Sequence, residues 1–188
     1  MSRRRLLSVF VGQYLVFIAL AAVWIACCAS PAANNPVRVS AAAVLCGAAA
    51  GALLSASAWG LAELWPAFGD SVSWLQRELL SRLRPIDIPI LALLSGIVEE
   101  VVFRWLLAAE LGLLMANAIF AALHFMGRRH LAYTLWTFGA GMLFSGLLLA
   151  SHGNLVVPIV AHVVNNAAAM VISLRLTAAL PHLPNPDR

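Results

Sequence analysis

Leu91-Ala-Leu-Leu-Ser-Gly-Ile-Val-Glu-Glu-Val-Val-Phe-Arg-Trp-Leu-Leu107 places two adjacent carboxylates, Glu99 and Glu100, and one guanidinium, Arg104, in a run that is otherwise almost wholly apolar. An unpaired ionised carboxylate is strongly disfavoured in hydrocarbon, so a chain that keeps both must compensate their charge or use it. Two further polar clusters lie downstream in equally apolar surroundings, around His124 and around His162.

Composition agrees with a bilayer setting. The chain has 188 residues, 62% hydrophobic and only 11% charged, with a mean hydropathy of +0.90. Soluble domains carry about 25% charged residues, so these values indicate a membrane protein. The 12 basic residues are all arginine and the formal charge is +4. Spread over such long apolar stretches, this excess suits anchoring in a lipid bilayer and excludes a nucleic-acid groove. Cys27, Cys28 and Cys46 have neither metal-site nor disulfide spacing and are expected to be small packing residues.

Roughly 20 apolar residues cross a typical hydrocarbon core. On that length six spans are expected, at about 6–28, 40–64, 88–108, 111–126, 133–150 and 155–174. The first apolar run is longer than an ordinary signal-peptide core and is read as an uncleaved helix. Residues Pro66 to Asp87 differ in kind. Val72, Leu75, Leu79 and Leu83 fall at helical spacing among charged neighbours, which predicts an amphipathic segment on the membrane surface, a linker or a cover for buried polar residues. With six spans, all arginine clusters except Arg38 fall on one side. The positive-inside rule then puts both termini and the amphipathic segment in the cytoplasm. The expected fold is all-α, a polytopic transmembrane bundle forming a single membrane domain over residues 1–188, with small-residue runs such as Ala48-Ala-Ala-Gly-Ala permitting close helix contact.

On the third span Glu100 and Arg104 are one turn apart and suit an ion pair. Glu99 points about 100 degrees away around a regular helix, so it is expected to face the bundle interior and exchange a proton. Phe120 precedes His124 by one turn, and His162 precedes Asn166 by one turn. Asn165 is expected to pack elsewhere or bond between helices. His130, His152 and His182 fall in or beside expected loops and are expected to face solvent.

A carboxylate with a histidine can deprotonate and orient water, and a second histidine with an asparagine amide can stabilise an oxyanion. This set suits a hydrolase. Glu99, His124 and His162 are also acceptable zinc ligands, although no His-Glu-x-x-His element is present. A binding or immunity protein without catalysis is one alternative. A proton-coupled transporter is another, disfavoured by the lack of matching half-repeats.

Gly96-Ile-Val-Glu-Glu-Val-Val-Phe-Arg104, Phe120-Ala-Ala-Leu-His124 and His162-Val-Val-Asn-Asn166 together resemble, in order and spacing, the three signature motifs of the CAAX-protease and bacteriocin-processing (CPBP, ABI) family of intramembrane proteases. The resemblance covers about residues 88–174. It implies that Glu99 and His124 activate water, that Arg104 supports Glu100, that Phe120 belongs to the second motif, and that His162 and Asn166 stabilise the oxyanion. It also implies a glutamate-dependent reaction without a metal, with zinc as the alternative. The expected substrate is a membrane-anchored protein or peptide, and the expected location is a bacterial inner (plasma) membrane.

Overall fold

The computed structural model describes residues 2–27 and 36–179. Cys28 and His182, and the expectations attached to them, lie outside these. Every regular element among the described residues is helical. The helices are α1 (Arg3–Cys27), α2 (Ala41–Leu64), α3 (Pro66–Glu78), α4 (Asp87–Glu99), α5 (Ala108–Leu123), α6 (Leu131–Ala150) and α7 (Val156–Ala179), with a π-helical segment, Glu100–Leu107, joining α4 to α5. The all-α membrane-bundle expectation is met.

Five stretches are long and apolar enough to cross a membrane: Arg3–Cys27, Ala41–Leu64, Asp87–Leu123, Arg128–Ala150 and Val156–Arg175. The longest of them, of 37 residues, is not straight. Gly112 adopts φ 78°, ψ 159°, a conformation open to a residue without Cβ. There the chain doubles back. The Phe103 and Phe120 rings lie 5.2 Å apart, whereas a straight helix would separate them by about 25 Å. The third and fourth expected spans are therefore the two arms of one hairpin. Its second arm ends at Leu123, about 16 Å beyond the glycine at 1.5 Å per residue. Asp87–Leu123 therefore counts once among the five candidate spans although the chain passes up and back within it, and His130, seven residues past Leu123, lies again at the Arg3 end.

The two ends of the bundle are fixed by polar contacts. At one end the Arg3 Nε donates to Asp87 at 2.8 Å, and the buried His130 ring contacts the Ser71 hydroxyl at 3.3 Å and Trp74. At the other, Leu155 N–H donates to Pro36 O at 2.7 Å, and the Arg38 guanidinium binds the carbonyls of Ser151 and His152. His130 was expected in solvent; α3 covers it instead. His152 is exposed as expected. Cys27 and Cys46 are exposed on the outer surface rather than packed inside.

α2 and α7 pack closely because Gly47 presents no side chain: a Cβ there would stand 2.6 Å from the Val157 carbonyl oxygen and 2.8 Å from Val160 Cβ. This is the close approach that small-residue spacing permits. At the corner between α2 and α3, Trp65 leaves helical geometry and Pro66, which lacks an N–H, opens the next helix. Phe68 then stacks between Trp65 and Tyr133 and leans on Trp136. The amphipathic segment is thus pinned to α6 by aromatic contacts.

Candidate active site

Gly96 brings α4 against α7. A Cβ on it would stand 3.0 Å from the Val163 backbone nitrogen and closer still to the Val163 side chain. This contact sets Glu99 and Glu100 beside His162. We expect Gly96→Ala to force the two helices apart and lower stability by about 1–3 kcal/mol, the usual range for overpacking, seen as a lower unfolding midpoint of the detergent-solubilised protein; an unchanged midpoint would show that Val163 yields freely.

Beyond Glu99 the helix widens into the π segment, the kind of insertion often found at functional sites. Glu100 and Arg104 meet there, Oε1 to Nη1 at 3.2 Å, with side-chain exposures of 0% and 1%. No aligned hydrogen bond reaches Arg104 Nη1 from any side, so this contact is an electrostatic approach. The second guanidinium nitrogen donates to Asn117 Oδ1 at 3.1 Å, and the cation lies 4.4 Å from the Phe120 ring centroid and 5.5 Å from that of Phe144. Asn117 in turn donates to Ser145 Oγ at 2.7 Å. Arg104 is therefore held from two sides by rings and at its tip by α5.

Glu100 also holds His162. The imidazole Nδ1 lies 2.8 Å from Glu100 Oε1, and Nε2 lies 3.7 Å from Glu99 Oε2. The ring stacks on Phe144 at 4.8 Å, 16° from parallel. One histidine thus stands between both carboxylates, and the expected separation of Glu99 and Glu100 onto unrelated faces is too sharp. A regular-helix angle could not anticipate a residue from α7 reaching both, nor the widened turn that begins at Glu100.

Glu99 is 4% exposed. Its Oε1 accepts a hydrogen bond from the Tyr14 hydroxyl at 2.7 Å, while its Oε2 has no hydrogen-bond partner. Tyr14 was not singled out from sequence. Its one signal is a phenol inside an apolar span, which needs a partner when buried.

His124 caps the end of α5. With its hydrogen on Nδ1 it donates to Phe120 O, 2.8 Å away, leaving Nε2 free. Asn166 donates to Ser95 Oγ at 2.9 Å, and Asn165 joins it to Ser55 through bonds of 3.3 and 3.1 Å. Asn165 therefore bonds between α7 and α2.

Glu99, His124, His162 and Asn166 line one chamber of about 320 Å³. It extends past Leu75, Leu79 and Leu83 of the amphipathic segment to Leu6 and Leu91 at the Arg3 end of the bundle. A second cavity of about 600 Å³ shares Leu75, Leu80, Tyr133, Trp136, Asn165 and Asn166 with it and runs out between α2 and α3 past Glu63 and Asp70. Among the described residues, no three His, Cys, Asp or Glu side chains gather as a group able to hold a metal ion. The alternative zinc set of Glu99, His124 and His162 shares the chamber without forming such a cluster.

A helical bundle with several membrane-length apolar helices, a buried carboxylate and imidazole, and a half-buried imidazole and amide around one chamber defines an integral membrane protein with a polar interior. Residues 81–168 match the family described as Rce1-like, type II CAAX prenyl endopeptidase. The match agrees in general kind with a CAAX-type intramembrane endopeptidase, and each of the seven candidate residues from Glu99 to Asn166 lies inside the matched stretch. No curated protein and no solved structure matched the chain.

Proposed function

We propose that the chain hydrolyses a peptide bond in a membrane-anchored protein, using water activated by Glu99 and His124. The observation that carries this reading is the divided state of the Glu99 carboxylate: one oxygen is held by Tyr14 and the other is buried without a hydrogen-bond partner, on a side chain that lines the chamber shared with His124. Such an oxygen is placed to take a proton. In the reaction the Glu99 Oε2 accepts a proton from water, His124 Nε2 orients that water, and its oxygen attacks the scissile carbonyl carbon. The carbonyl oxygen gains negative charge. Asn166 gives one N–H to Ser95 and keeps a second for this oxyanion; His162, with a hydrogen on each ring nitrogen, bonds Glu100 through Nδ1 and offers Nε2. When the C–N bond breaks, the proton on Glu99 passes to the departing amine.

The substrate reaches this chamber from the end of the bundle carrying Arg3 and α3, which the charge distribution makes the cytoplasmic face. The Glu99 carboxylate carries the proton in both transfers, and the reaction requires no metal. The family description points to a peptide ending in a prenylated Cys-aliphatic-aliphatic-X sequence. A farnesylated peptide of this form and a transmembrane peptide without the lipid are the substrates to compare, each incubated in vesicles with the purified protein after exhaustive chelation. Mass spectrometry should find a cleaved product from the lipidated peptide. Both peptides remaining intact under all conditions would refute the hydrolase reading; cleavage appearing only when zinc is restored would refute the metal-free one.

A further inference from the structure

Helix α1 lies outside the family-matched stretch, yet it reaches the centre of the site. It runs parallel to α4, fastened at two levels. At the lower level Arg3 binds Asp87, whose carboxylate also accepts the Arg84 backbone N–H. Leu6 packs with Leu83 and Leu91 just above. At the upper level the Tyr14 hydroxyl binds Glu99. From residue 3 to residue 14 and from residue 87 to residue 99, both helices rise about 16–18 Å at 1.5 Å per residue, so the two polar contacts share one register. The Tyr14 ring is 4% exposed. It meets Phe17 edge to face at 6.3 Å, and Phe17 meets Phe103 in the same way at 5.9 Å.

We infer that Tyr14 is a positioning residue for the reaction: by donating to Glu99 Oε1 it fixes the carboxylate plane so that Oε2 faces the chamber as the base. The inference deepens the proposed function and rests on it. Rotation about the last bond of a glutamate is soft and roughly two-fold, so an unanchored carboxylate does not keep a single oxygen on the chamber wall. A competing orientation is close at hand. His162 Nε2 is 3.7 Å from Oε2, and a carboxylate released by Tyr14 can turn the short remaining distance into a direct hydrogen bond with that ring, which removes the free oxygen and occupies an oxyanion donor together. Tyr14 touches neither water nor substrate in this account; it acts through Glu99.

Tyr14→Phe keeps the ring, its aromatic contacts and the helix packing while deleting the hydroxyl, with its donation to Glu99 and its contact with Ser95. Turnover of the farnesylated peptide in vesicles is measured for wild type, Y14F and E99Q, with folded fraction and unfolding midpoint determined on the same preparations. The expected result is a kcat for Y14F lower on the order of ten-fold, with KM, folded fraction and midpoint unchanged, the size associated with losing one hydrogen bond to a charged group. A Y14F enzyme with wild-type kcat overturns the inference, as does a loss of activity that merely follows a loss of folded protein or a rise in KM. E99Q separates the two levels. If E99Q is inactive and Y14F is fully active, only the role of Tyr14 falls; if E99Q itself cleaves like wild type, the proposed base and its positioning residue fall together.

Discussion

Replacing Glu99 by glutamine is expected to abolish cleavage, with a loss on the order of 100-fold or more, the scale for removing a general base. The substitution keeps the volume and leaves Oε1 as an acceptor for the Tyr14 hydroxyl, 2.7 Å away. What disappears is the proton-accepting oxygen facing the chamber. The unfolding midpoint should stay near that of wild type, because the charged contact that Glu99 loses, 3.7 Å to His162 Nε2, is longer than a hydrogen bond and His162 keeps Glu100 as its counter-charge. Steady-state cleavage of the farnesylated peptide checks the prediction, and retained turnover in a homogeneous, folded E99Q preparation would remove Glu99 from the mechanism.

Glu100→Gln is expected to fail differently, at folding. Glu100 is fully buried and touches both Arg104, at 3.2 Å, and His162, at 2.8 Å. Removing its charge leaves the Arg104 guanidinium buried beside aromatic rings without its nearest carboxylate, the more distant Glu99 being the one that remains. Breaking a buried pair in this way costs roughly 3–5 kcal/mol, a large share of the stability of an ordinary domain. A sharply lower yield of monodisperse protein and a lower unfolding midpoint should follow. The double substitution Glu100→Leu with Arg104→Met removes both charges and should recover much of that stability. It should remain inactive, since His162 then lacks the acceptor that orients it. E100Q protein with wild-type stability would show that Arg104 is compensated mainly by Asn117 and the faces of Phe120 and Phe144.

The sequence discloses which side chains meet more fully than how they meet. Glu100 with Arg104, and His124 one turn after Phe120, are local relations set by helical periodicity, and the structure keeps both. The reversal between the third and fourth expected spans is legible, at about residues 109–110; the structure places it at Gly112, a few residues later. That hairpin also answers a difficulty of depth. His124 near the end of one span and His162 near the start of another converge on the Phe120 ring, which meets both imidazoles, at 4.6 and 6.2 Å. Relations between distant helices were hidden. Tyr14 to Glu99, His130 beneath α3 and the bridging of both carboxylates by His162 depend on which helices become neighbours, and periodicity along one helix carries no record of that. The amphipathic face of Pro66 to Asp87 was read correctly as apolar on one side. Its division between two cavities, with Leu75 and Leu80 facing both, required the fold.

The short arm after Gly112 has a consequence for how the hollow arises. A helix crossing the whole core would continue for about 14 Å past His124, given a core of about 30 Å and an arm of about 16 Å. α5 ends at Leu123, and Phe125 and Met126 just beyond it line the chamber together with Leu75, Leu79, Leu80 and Leu83 of α3 and its following turn. The length of α5 therefore sets the depth of the site: one residue added between Gly112 and His124 would move the imidazole about 1.5 Å along the bundle and swing it about 100 degrees around the helix, carrying it off the wall it shares with Glu99.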